Sequence, residues 1–290
     1  MLPTTLVRRL ARLARLDRST RLVRLARPAS LAGLLCAALL PALRPVLSEP
    51  LAVPVAASYV SVPAGAFASV LSGGSSDNAP VAVAAFSLRA QPVTVAEFLQ
   101  FTKVHPEWSR AQVPAVFADA NYLHGLDASV AELHGQQAIT NVSWFAAQAF
   151  CESEQARLPT WYEWEYVGAA DATHADARKD PAWRAQILGW YSQPSSQRQL
   201  QVGAAPNFYG AQNMHGLIWE WVDDFNALLV SADSRNQGDP DQLQYCGAGA
   251  ISLQDRENFA ILMRVALLSS LSGADSTKDL GFRCARSPVQ

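Results

Sequence analysis

Much is missing from this chain. Its four cysteines never fall close together, which rules out a zinc knuckle, and its five histidines form no recognisable ligand set. No repeat and no linker divides residues 59 to 290. The apolar run at residues 29 to 43 is broken by Pro41 and is short for a membrane span. Nor is there a positive excess outside the N-terminus. Nine of the 23 basic residues stand in residues 1 to 50 beside only Asp17 and Glu49, leaving 14 basic and 23 acidic side chains, or −9, for the remainder. Such a surface does not recruit nucleic acid by neutralising phosphates.

What is present suits a folded, exported protein. Half of the 290 residues are apolar, enough for a substantial core. An arginine-rich start followed by "ASLAGLLCAALLPAL" has the order of a secretory signal, so residues 1 to 50 are expected to be a signal peptide or N-terminal anchor and residues 51 to 290 the folded domain. Periplasmic or other export follows, with any membrane contact made through the N-terminal segment. Beyond that segment stand Cys151, Cys246 and Cys284, an odd number that permits one internal bridge and leaves one thiol.

Three helix starts are legible. Thr94 with Glu97 and Thr160 with Glu163 have capping-box spacing, and Ser143 can cap "WFAAQAFCESEQ". Strand candidates are short, "YVSVPAGAF" and "GLIWEWV", and the connections are rich in proline, glycine and asparagine. The class is α+β with much irregular backbone. In an extended Trp219-Glu220-Trp221 the indoles would enter a core and the carboxylate would point the other way, to solvent or a ligand. Asn213 and Glu220 offer hard oxygens, and a bend at Gly216 could turn carbonyls to the same point, the donor type that calcium selects.

Six segments in order, "VPAGAF", "QPVTVAEF", "VSWFAAQAFC", "RLPTWYEWEY", "NMHGLIWEW" and "GFRCAR", resemble the signature segments of the formylglycine-generating enzyme family, also called sulfatase-modifying factors, from about residue 59 to 287. The resemblance implies a fold related to C-type lectins with little regular secondary structure. It implies a structural calcium held by Asn213, Glu220 and the carbonyls of Gly216 and Ile218. A second calcium site is expected to be absent, because its segment is shortened near residues 188 to 207. The resemblance also implies a disulfide between Cys151 and Cys284, and a second one lost at about Gly168 and Val265.

That family's catalysis uses two nearby thiolates to hold copper(I), and this chain lacks them. "ISLQDRENFAILMRV" carries Asp255, Arg256, Glu257 and Asn258 where the pair is expected, and Cys246 stands several residues too early. No copper is expected, and formylglycine generation is rejected. The extra helical domain and three-histidine iron site of the ergothioneine branch are not expected either. The remaining likeness is to exported members that lack the pair, of the pyoverdine siderophore-maturation and copper nitrite reductase-cluster types.

Candidate site residues are Cys246, Asp255, Arg264 and Ser270. The first three also have a plain reading, a small buried thiol, a solvated helix start and an internal ion pair, while Ser270 offers a hydroxyl with no histidine near in sequence to build a triad. Two functions stay open. One is an accessory or oxidative maturation factor acting on a small-molecule or protein-cofactor substrate, or on a periplasmic metalloenzyme. The other is a non-catalytic binding module that holds a protein partner. A pocket lined by Cys246, Arg264 and Ser270 would favour the first.

Overall fold

A computed structural model describes residues 58–71, 80–126, 134–193, 200–228 and 259–288. Its strands are short, two to four residues each, because proline, glycine and polar turns interrupt every extended run. Strands β1 (Tyr59–Val62), β4 (Phe86–Arg89) and β7 (Ala285–Arg286) form an antiparallel sheet in the order β1-β4-β7. Strands β2 (Gly65–Phe67) and β3 (Val81–Val83) pair as a hairpin, and β5 (Trp219–Glu220) runs parallel to β6 (Leu280–Gly281).

Helices α1 (Val95–Val104), α2 (Trp144–Ser153) and α3 (Trp161–Gly168) begin where the capping residues place them. Both capping boxes close, and each is clamped further by an arginine. The Thr160 hydroxyl accepts the Glu163 amide while the Glu163 carboxylate takes back the Thr160 amide and two bonds from Arg157 at 2.6 and 2.7 Å. Arg89 does the same for Glu97, at 2.6 and 3.3 Å. A cap worth about 1 kcal/mol is thereby tied to a charge-assisted fork that crosses into neighbouring backbone.

Two further helices follow, of which the first was not expected from the sequence and the second follows the helix start read at Asp255. Helix α4 (Pro181–Tyr191) starts at Asp180, whose carboxylate caps the Ala182 amide, and α5 (Phe259–Ser269) packs against it. The apolar run "FAILMRVALL" lies on α5.

The core is one aromatic-rich cluster. Phe98, Phe101, Phe150 and Phe282 touch edge to face or offset, with Trp161, Trp164 and Trp221 buried beyond them. Cys151 on α2 and Cys284 before β7 are bonded, with Cα atoms 5.5 Å apart, in the pairing the resemblance implies. Gly281 must be glycine, since a Cβ there would come within 2.0 Å of the Ile139 carbonyl. No helix of the described residues is long and apolar enough to cross a membrane. The N-terminal segment 1 to 50, Cys246 and Asp255 lie outside the described residues.

Candidate functional site

The β5–β6 pair brings together the two segments with the densest chemistry. The Trp219 amide donates to Asp279 and the Trp221 amide to Gly281, at 2.7 and 2.9 Å, which fixes Glu220 beside Arg283. Trp221 is buried and its indole donates to the Val142 carbonyl, whereas Trp219 is half-buried and stacks on Tyr191 at 4.7 Å.

Glu220 does not point to solvent: both it and Arg283 are 0% exposed. The expectation of an outward carboxylate fails because the opposite face of β5 is covered as well, by α3 and by the segment carrying Arg283. Arg283 Nε lies 2.9 and 3.1 Å from the two carboxylate oxygens and Nη2 lies 2.8 Å from one of them, while Trp164 Nε1 donates to the other at 2.9 Å. Arg283 also reaches the carbonyls of Arg89, Ala90, Gln212 and Asn213, so one guanidinium joins β4, the 212–213 turn and β5.

A second cation lies close by. Arg264, on α5 and 1% exposed, stacks over Trp164 with its guanidinium carbon 3.6 Å from the ring centroid and donates through Nη2 to the Glu220 carbonyl. Its Nε and Nη1 have no hydrogen-bond acceptor among the described residues, and the indole face supplies a cation–π contact. Burial pulls its pKa down to about 10, so it stays charged at neutral pH. His215 is buried next to both arginines, and desolvation depresses its pKa to about 4. The imidazole is therefore neutral: Nε2–H donates to the Gly168 carbonyl at 2.7 Å, and Nδ1 accepts from the Tyr191 hydroxyl at 3.1 Å.

A family model describing the sulfatase-modifying factor enzyme 1-like domain matches residues 47–288. The chain belongs to this family. Among its curated relatives is a formylglycine-generating enzyme of Streptomyces coelicolor, 30% identical over 166 residues, or 51% of this chain and 52% of that protein. A hercynine oxygenase of Mycolicibacterium smegmatis is 34% identical over 98 residues, 32% of this chain and 23% of that protein. The chain thus spans about half the length of the first relative and about a quarter of the second. Among solved structures, PvdO from Pseudomonas aeruginosa aligns with TM-score 0.42 and 17% identity over 79% of this chain and 94% of that one.

Asn213, Gly216, Ile218 and Glu220 do share one loop, but they do not fit a calcium ion as they stand. Three N–H groups from Arg283 and Trp164 already point at Glu220, and the Asn213 Oδ1 accepts the amides of Gly203 and Ala204 at 3.0 and 3.2 Å. With Arg264 counted, the buried charge is positive before any ion is added. Arg264 and Ser270 do not share a pocket either. Ser270 is exposed and its hydroxyl donates to the Leu267 carbonyl of its own helix, whereas Arg264 is sealed in the core.

A cavity of about 20 Å3 lies between α4 and α5, lined by Trp183, Ile187, Leu188, His215, Ala260 and Ile261 among others. It has room for one water. Sequence reasoning gave no role to Arg283, Trp164 or His215. Arg283 stands in the closing signature segment, and an arginine between Phe282 and Cys284 was the available sign that it is buried and paired.

Proposed function

We propose that this family member is an exported accessory protein that assists maturation of a periplasmic cofactor, siderophore or metalloenzyme, and that it does not itself generate formylglycine. The observation that carries the reading is chemical. The segment from 251 to 265 has no cysteine, so the two-thiolate centre that soft copper(I) requires cannot be built there. A lone Cys246 supplies one sulfur at most.

The arrangement around Glu220 supports a scaffold role. Its charged groups face one another or backbone carbonyls, and none of Glu220, Arg283 or His215 is presented to solvent as an acid or base. That buried Arg264 and exposed Ser270 share no pocket favours a second reading, a non-catalytic binding module whose surface holds a protein partner.

Gene deletion in the native host tests the proposal. The expected result is a defect in loading a periplasmic metalloenzyme or in completing a secreted siderophore, with sulfatase activation unchanged and the protein found in the periplasmic fraction. Loss of sulfatase activation, or recovery of the protein from the cytosol, contradicts it.

A further inference from the structure

We infer that the 213–220 loop is locked by internal guanidinium groups where its relatives' signature would place a calcium ion, so that this protein is calcium-independent. The inference does not rest on the proposed function.

A calcium ion needs six to eight oxygens turned inward, with carboxylates supplying the negative charge. This loop contributes one carboxylate. Glu220 sits between the Arg283 fork and the Trp164 indole, with four contacts of 2.8 to 3.1 Å on its two oxygens. Asn213 is held in left-handed backbone (φ 56°), its side-chain oxygen turned to the amides of Gly203 and Ala204 and its carbonyl accepting from Arg283. The two side-chain ligands of the expected set are thus both satisfied from within the protein.

Charge points the same way. Glu220 brings one negative charge; Arg283 and Arg264 bring two positive ones, both buried. A divalent cation placed on Glu220 would lie within a few ångströms of two guanidinium groups from which water is excluded, where like charges repel strongly. Pinning the irregular backbone, which an ion would do, falls instead to Arg283, whose Nη1 and Nη2 bridge the carbonyls of Arg89, Ala90, Gln212 and Asn213. Gly216 completes the turn: its φ is 84°, and Trp190 packs where a Cβ would stand.

Two readouts on the full chain, purified without chelator and then stripped with EGTA, test the inference. Terbium is a luminescent stand-in for calcium, and the flanking Trp219 and Trp221 would sensitise an ion on this loop. No saturable emission that calcium displaces is expected. In thermal melts, an ion at a hundredfold excess over its dissociation constant would raise the midpoint by roughly 5–10 °C in a domain of this size. The expected midpoint is the same in EGTA and in millimolar calcium. Asn213→Ala, which removes the acceptor of the Gly203 and Ala204 amides, is expected to lower the midpoint equally in both buffers. Saturable, calcium-displaced terbium emission, a midpoint that rises several degrees with calcium, or an Asn213→Ala effect seen only with calcium would each overturn it.

Discussion

At the scale of single residues, Glu220 and Arg283 form an ion pair in which both side chains are fully buried. Glu220→Gln keeps the shape but removes the charge that balances Arg283, and breaking a buried pair from one side costs about 3–5 kcal/mol. Chemical denaturation should therefore show Glu220→Gln to be severely destabilised. Arg283→Met should be at least as severe because four carbonyls lose their donor. A cost below about 1 kcal/mol for either would remove the pair from its central place. His215 adds a pH dependence with a definite sign. Its folded pKa of about 4 lies below the unfolded value of about 6.5, so the unfolded chain takes up its proton first. Its contribution, on the order of 3 kcal/mol, is complete above pH 6.5 and is lost as pH falls towards 4. Urea melts from about pH 4.5 to 7.5 should show this acid limb, flattened in His215→Gln, and an unchanged limb in that variant would assign the dependence to other groups. The position of Glu220 between two indoles was legible in the sequence. Its partner was not, because Arg283 is 63 residues away and side-chain alternation says nothing about what covers the second face of a strand.

Elements were legible where local chemistry decides them. Thr94, Ser143 and Thr160 mark three helix starts because a capping oxygen and its amide are three residues apart in sequence as well as adjacent in space. Thr160→Ala should cost about 2 kcal/mol, the upper end for loss of a cap, because the Glu163 carboxylate it positions also binds Arg157. The same substitution at exposed Thr173 is the control, and equal effects at both sites would deny the capping box special weight. Helix α4 escaped notice although Asp180-Pro181 is a sound start signal, because "AWRAQILGWY" carries a weak apolar stripe and reads equally as loop. Strand β5 falls within the expected "GLIWEWV", whereas the two-residue strands β6 and β7 leave no periodicity to read. They exist because tertiary neighbours align them. The Cys151–Cys284 bridge acts between elements, closing a sequence separation of 133 residues, for which chain entropy gives on the order of 5 kcal/mol as an upper figure. Reduction should lower the denaturant midpoint well beyond any effect in Cys246→Ser, and peptide mapping should recover Cys151 joined to Cys284. Recovery of Cys246 in a bridge would contradict the pairing.

For the whole molecule, the fold and the chemistry part company. The family is shown across residues 47–288, and ordered signature segments made it legible because each fixes a definite piece of the packing, among them the helix caps, the aromatic core, the Glu220 loop and the closing arginine and cysteine. Function does not follow from that scaffold. The resemblance implies a thiolate pair in the segment that here holds Asp255, Arg256, Glu257 and Asn258. We propose that this domain keeps its family's architecture without the two-cysteine centre that the resemblance implies. The most direct measurement incubates the folded, disulfide-bonded protein with a sulfatase-motif peptide, copper(I) and dioxygen, beside an active formylglycine-generating enzyme, and follows the peptide by mass spectrometry. The peptide cysteine is expected to persist unchanged with this protein while the control converts it to the aldehyde. Enzyme-dependent conversion by this chain, above that in Cys246→Ser, would contradict the claim.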